Sequence, residues 1–259
     1  GVVYGKDTVN FIGNRIGCFF MLKGIHEGKE ARRNNLNIEQ IDAILSKPMG
    51  LPPTGLYGLI DLIGLDVMYS VGKNLEVNLP QNDIGLLYTT LPSEEMQMYK
   101  GNQLGRKTGG GFYRIKKLNT GEKVKETYDL DIKKWNISNK ILNNSTLELL
   151  LEDTLHGNLS WNIMGATILY AADLIPEIAD DIVNVDRAMR WGFAWRMGPF
   201  EMLDYLGPDK VIEKCMKEGI RIPKMLKILA ESKYPKFYEN KKYLDINGSY
   251  QDINTDNMQ

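Results

Sequence analysis

Ile38-Glu39-Gln40-Ile41-Asp42-Ala43-Ile44 can be laid over Ile182-Val183-Asn184-Val185-Asp186-Arg187-Ala188 with the apolar positions and the aspartate in step. Farther along, Leu59-Ile60-Asp61-Leu62-Ile63-Gly64 falls on Met202-Leu203-Asp204-Tyr205-Leu206-Gly207 with one residue of slippage, and Met49-Gly50 is set against Met197-Gly198 only with a shift. An internal repeat of this kind implies two related units of about a hundred residues each. Units with so much apolar periodicity pack in pairs, each covering the other's exposed face or the face of a further domain.

The periodicity within each unit is helical. Apolar residues recur three and four apart from Phe11 through Ile25, predicting an amphipathic helix closed by Gly28. A short helix carries Ile38, Ile41, Ile44 and Leu45 until Pro48 stops it, and the Pro- and Gly-rich residues 48–55 read as a loop. Leu56 through Val71 mark a longer helical region with a break expected at Gly64, and Ser93-Glu94-Glu95 suits a capped helix start. Residues 114–145, rich in Lys, Asn, Asp and Thr, read as a connection with a hairpin around Asn119-Thr120-Gly121. Helix returns over residues 147–175, ended by Pro176, then over 177–191, with short helices up to about Ser232. The aromatic, polar tail carries no assignment.

Chemistry is sparse along the chain. Cys18 and Cys215 each sit in an apolar helical stretch and read as buried thiols, and His26 and His156 have no cysteine or second histidine at helical spacing, so no metal site is expected. The formal net charge of -1 gives no reason to expect nucleic acid, and no apolar run is long enough to insert in a membrane. The start lacks the apolar core of a signal peptide, so a cytoplasmic address is expected, or an organelle matrix if a targeting segment is missing. Gly101-Asn102-Gln103-Leu104-Gly105-Arg106-Lys107-Thr108 has a phosphate-loop look, but its second glycine comes one residue early and no strand leads into it. A GxGxxG loop after a strand occurs nowhere, so these residues cannot make a Rossmann pyrophosphate site. Two polar residues keep two readings each. Asn14, flanked by Phe11, Ile12 and Ile16, is either a solvated helix amide or one that orients a substrate carbonyl in a cleft. Lys107 is either a solvated loop cation or an ammonium near a cofactor.

Three segments resemble the C-terminal helical domains of the 3-hydroxyacyl-CoA dehydrogenase family. Lys6 through Gly17 resembles the passage from the last strand of its dinucleotide-binding domain into the helical domain. Leu104-Gly105-Arg106-Lys107-Thr108-Gly109-Gly110-Gly111-Phe112-Tyr113 resembles the close of the first helical domain. Gly192-Phe193 and Met197 through Gly207 resemble the signature of the second repeat. The closest look is to the long bacterial enzymes of β-oxidation that also carry an enoyl-CoA hydratase module.

The resemblance implies an all-α fold of two repeated helical domains of the 6-phosphogluconate dehydrogenase C-terminal-like type. Their bounds are residues 1–113 for the first domain, 114–145 for a linker, 146–240 for the second repeat and 241–259 for a tail. It implies part of an NAD-dependent (S)-3-hydroxyacyl-CoA dehydrogenase. The general base and most of the NAD contacts would lie on a dinucleotide-binding domain absent from these residues, so no catalytic residue is expected here and the chain alone is expected to be inactive. The family's substrate-side asparagine falls on Asn14 and its cofactor-side lysine on Lys107. Val9 stands where the family usually has proline, and Gly110 and Leu51 also depart from its pattern. Expected partners are acyl-CoA, the dinucleotide-binding domain and a second copy of the chain. The alternative is a non-catalytic helical binding or dimerisation module.

Overall fold

A computed structural model describes residues 1–253, which group into two compact units: Cys18–Ser145, and Gly1–Gly17 together with the described residues from Thr146 onward. Both are helical, as the periodicity predicts, and each adds one small antiparallel sheet.

Helix α1 (Gly13–Arg33) passes from the first-turn segment of one unit into the other. It does not close at Gly28. A Cβ there would lie 2.2 Å from the Tyr57 hydroxyl, and one at Gly24 would lie 2.7 Å from Leu56, so these glycines let α1 and the next helical layer approach closely. Arg32 and Arg33 in the last turn complement the helix dipole. Helix α2 (Ile38–Ile44) starts with a reciprocal capping box between Asn37 and Gln40. Pro48 opens a single 3-10 turn. Helices α3 (Gly55–Ile63) and α4 (Leu65–Asn78) meet at an 89° bend where Gly64 takes φ +105°, so the expected break is real. Helix α5 (Ser93–Lys100) has Pro92 at its cap position; the Ser93 hydroxyl instead donates to Glu94 and accepts from Lys29. The core of this unit joins Phe19, Leu22, Ile25, Ile41, Ile44, Leu56, Tyr57, Ile60 and Phe112. Among the described residues, no single helix is long and apolar enough to cross a membrane.

Residues 114–145 differ from the expected linker. They carry most of a three-stranded antiparallel sheet, β1 (Tyr113–Lys117), β2 (Lys123–Asp129) and β3 (Lys134–Ile137), with the expected turn at Gly121, φ +87°. Their polar composition hid the strands because so little of the sheet is covered: Glu126, Thr127 and Leu130 are buried while most neighbours face solvent. The sheet groups with α2–α5. Residues 1–17, expected with the first helical domain, group instead with Thr146 onward. The Lys6 amide donates to the Ile178 carbonyl and the Tyr4 amide to Asn184 Oδ1, each at 2.9 Å.

In that second unit the expected long helix over 147–175 is divided. A 3-10 turn (Leu147–Leu151) precedes α6 (Leu155–Ser160), which Thr154 caps through the Gly157 amide, and a π turn (Trp161–Gly165) leads into α7 (Ala166–Asp173). Helix α8 (Ile182–Gly192) begins later than the sequence suggested because Asp181 accepts from the Asn184 amide and fixes its start. Helices α9 (Pro199–Leu206), α10 (Pro208–Lys217) and α11 (Lys224–Glu231) follow. The tail forms a second three-stranded meander, β4 (Tyr238–Glu239), β5 (Lys242–Leu244) and β6 (Tyr250–Asp252); the end of the expected tail, residues 254–259, lies outside the described residues. Trp161, Met189, Phe200, Leu203, Val211, Met225 and Phe237 form this core. Cys18 and Cys215 are free and buried, as expected.

Candidate functional site

The repeat reappears as hydrogen bonds. In the unit Cys18–Ser145, Asp42 on α2 caps the start of α3: the Tyr57 amide donates to Oδ1 at 2.7 Å and the Gly58 amide to Oδ2 at 3.1 Å. The Tyr113 hydroxyl donates to the same Oδ2 at 2.8 Å. Asp61 on α3 then holds the strand bearing that tyrosine, accepting from the Phe112 and Tyr113 amides at 2.8 and 2.7 Å. Two carboxylates and one tyrosine thus fasten α2, α3 and β1. Glycines make room for this clasp: a Cβ at Gly111 would sit 2.0 Å from Asp61 Oδ1, and one at Gly55 2.5 Å from Asp42.

The other unit repeats the clasp bond for bond. Asp186 accepts from the Phe200 and Glu201 amides at 2.9 and 3.1 Å and from the Tyr238 hydroxyl at 2.8 Å. Asp204 accepts from the Phe237 and Tyr238 amides at 2.7 and 2.8 Å. Gly198 sits where a Cβ would meet Asp186 at 2.3 Å, which makes Gly55 its counterpart and not Gly50, as the shifted sequence pairing had it. Burial pushes the Asp42 carboxyl up to about 7 against the pull of its donors, and Asp61 and Asp204 up to about 6. Asp186 is raised for the same reason, and both phenols are pushed up by burial and by the carboxylates they face. With protons held this firmly, the tyrosines are fasteners and not acid–base groups. Sequence reading missed Tyr113 and Tyr238 as a pair, although the dipeptide Phe-Tyr stands at both 112 and 237.

Asn14 and Arg15 divide the roles at the start of α1. Arg15 is buried: Nε donates to the Tyr170 hydroxyl at 2.6 Å and Nη2 pairs with Glu177 at 3.1 Å. Gly17 packs directly on Phe193, where a Cβ would meet the ring at 2.2 Å. Asn14 is exposed, and its side chain takes no hydrogen-bond partner among the described residues. Beside it, Asn10 and Phe11 both hold left-handed backbone, φ 62° and 51°, and Phe11 is 60% exposed. For a bulky residue that conformation costs roughly 1–2 kcal/mol. A strained, exposed entry therefore leads into a firmly anchored helical turn that displays a free amide.

Lys107 lies in the other unit, in the 3-10 turn Arg106–Thr108. Its ammonium pairs with Asp66 at 2.7 Å from Oδ2, which holds that carboxyl below its usual range. The surrounding amides are spent internally: Gly105 and Gly110 pair with each other, Thr108 donates to Gly105 and Gly109 to Arg106. A dinucleotide needs free amides at a helix start after a strand. Lys107 is thus paired with Asp66, and a helix, not a strand, precedes this turn.

The repeat, the glycine-bounded clasp and the helical architecture can be set beside known proteins. A family model described as 3-hydroxyacyl-CoA dehydrogenase, C-terminal domain, matches residues 11–115 and 161–242. This chain belongs to that family. The two matches cover the two clasps almost entirely and bear out the resemblance read from the sequence. A Rickettsia prowazekii protein named for a fatty acid oxidation complex trifunctional enzyme is 35% identical over 246 residues, covering 93% of this chain and 33% of that protein. A Bacillus subtilis protein named as a 3-hydroxyacyl-CoA dehydrogenase is 32% identical over 249 residues, 92% of this chain and 30% of that protein. The chain thus spans about a third of the length of these relatives. In fold it is similar to the crystal structure of 3-hydroxybutyryl-CoA dehydrogenase from Escherichia coli, with TM-score 0.54 and 18% identity over 87% of this chain and 60% of that one.

Proposed function

We propose that this 3-hydroxyacyl-CoA dehydrogenase C-terminal chain is the helical part of an NAD-dependent (S)-3-hydroxyacyl-CoA dehydrogenase of cytoplasmic fatty-acid β-oxidation, and that its first turn of α1 forms a wall of the acyl-CoA cleft. The observation that carries this is Asn14: an exposed amide with no partner of its own, on a turn fixed by Arg15 and by the Gly17–Phe193 contact. An amide on so fixed a turn can donate to a thioester carbonyl and accept from an imidazole. Hydride transfer further needs a general base and a bound nicotinamide, which the cofactor domain would supply. In this reading the 259 residues alone do not turn over, Lys107 serves the loop through Asp66, and NAD is held elsewhere. A place in fatty acid oxidation accords with the name of the Rickettsia relative.

Calorimetry with acetoacetyl-CoA tests this. Binding is expected when a family dinucleotide-binding domain is added in trans, and Asn14→Ala is expected to weaken it about tenfold, the loss of one or two hydrogen bonds. Equal binding by the variant would overturn the role of Asn14. The chain also carries an association surface in this reading, because Val77 and Leu87 are 79% and 73% exposed on α4 and the turn after it.

A further inference from the structure

Each clasp borders a cavity, and the two cavities are related by the repeat. One, of about 670 Å3, lies against Gly58, Asp61 and Tyr113; the other, of about 630 Å3, lies against their counterparts Glu201, Asp204 and Tyr238. Their charges differ. In the second cavity two cations, Arg187 and Arg190, stand among three acidic residues, Asp186, Glu201 and Asp204, with Arg190 paired to Glu201 at 2.8 Å. In the first, the position of Glu201 is taken by Gly58, and three cations line the wall: Arg106, Arg114 and Lys125.

Those cations are incompletely matched. Arg106 and Lys125 have no ion-pair partner among the described residues. Arg114 spends Nε on Glu126 at 2.6 Å and stacks over Trp135 at 4.2 Å, leaving its Nη fork uncommitted. Lys125 Nζ stands 3.7 Å from the centre of the Tyr113 ring, held by the π face and not by a carboxylate. The one carboxylate on the wall, Asp61, already accepts two backbone amides. The Tyr113 ring thus carries a cation over one face, and the wall offers charge and forked donors. A guanidinium fork and a point ammonium across a concave wall suit a tetrahedral, multiply charged anion.

We propose that this cavity binds a phosphate-class anion, the phosphate or diphosphate group of a small molecule. The second cavity, built on the same clasp, shows that the fold does not require the excess of positive charge. This site is independent of the dehydrogenase reading and of Asn14.

The test is calorimetric titration of the 259-residue chain with pyrophosphate at low salt. One saturable site per chain is expected, weakened at least tenfold by the double variant Arg106→Gln, Lys125→Gln, whose folding is checked by circular dichroism. Both residues are exposed. The control double variant Lys117→Gln, Lys123→Gln removes the same charge from a cross-strand pair of the same sheet outside the cavity, and is expected to bind within twofold of the parent. Absence of saturable binding, or an equal loss in both double variants, would overturn the proposal. Coenzyme A distinguishes the source of the anion: competition with pyrophosphate identifies the phosphates of a coenzyme A thioester, and its failure identifies a free phosphorylated compound.

Discussion

Replacing Tyr113 by Phe removes a single hydroxyl from the clasp and leaves its shape intact. The lost bond is 2.8 Å long and ends on a buried carboxylate that keeps its two backbone donors. Above pH 7 Asp42 is ionised, since burial raises it only to about 7. A hydrogen bond to a charged group contributes about 1.5–3 kcal/mol, part of which is offset because Phe has no hydroxyl to desolvate. A loss of about 2 kcal/mol is therefore expected at pH 8. Tyr238→Phe cuts a bond of the same length to Asp186, so a loss in the same direction is expected. Urea denaturation followed by circular dichroism reads the effect. At a slope of about 2 kcal/mol/M the midpoint should move by about 1 M, with the slope unchanged. Either variant remaining within about 0.5 kcal/mol of the parent, or a large loss in one and none in the other, would refute the equivalence of the two clasps.

Other perturbations probe the same frame. The 13Cγ resonance of Asp42 should titrate with a midpoint near 7; this raised value means that its stabilisation is complete below about pH 4 and is lost as pH rises through 7, and a midpoint below 4 would contradict it. Gly28→Ala should destabilise by about 1–2 kcal/mol, because the contact with the Tyr57 hydroxyl, itself held by Arg32, outweighs the roughly 1 kcal/mol of helix propensity gained; a stabilised variant in thermal melts would show that Tyr57 yields. Leu87→Lys should shift light scattering toward the monomer if the exposed apolar surface mediates self-association, and an unchanged mass would remove that surface from the account.

Much of the frame was legible because it rests on local chemistry. The aspartates at 42 and 186 stand in an apolar helical pattern that repeats, and Gly64 announces a bend because few other residues accept φ +105°. The other half of each clasp was not legible. Phe112-Tyr113 lies 51 residues after Asp61 counted from its phenylalanine, whereas Phe237 lies 33 after Asp204. Helices of different length fill the two gaps, so no fixed period links the dipeptides. The strands that carry them are short and mostly solvated, so hydrophobic alternation is weak and residues 114–145 read as a linker. Gly28 misled for a related reason: a glycine needed for close helix packing looks, in one dimension, like a helix stop. Asn14 stood out as a polar residue among apolar neighbours, but only the family resemblance favoured its substrate reading, since an exposed helix amide has no signature of its own. The cofactor reading of Lys107 came from the resemblance, and its ion pair with Asp66, 41 residues away, is visible only once the chain is folded.

Reduction of acetoacetyl-CoA by NADH, followed at 340 nm, tests the central claim most directly. The 259-residue chain should show no turnover alone, should gain it when a family dinucleotide-binding domain is supplied in trans, and should lose most of that gain with Asn14→Ala. Robust turnover by the chain alone, or full activity of the Asn14→Ala variant in the reconstituted mixture, would contradict it.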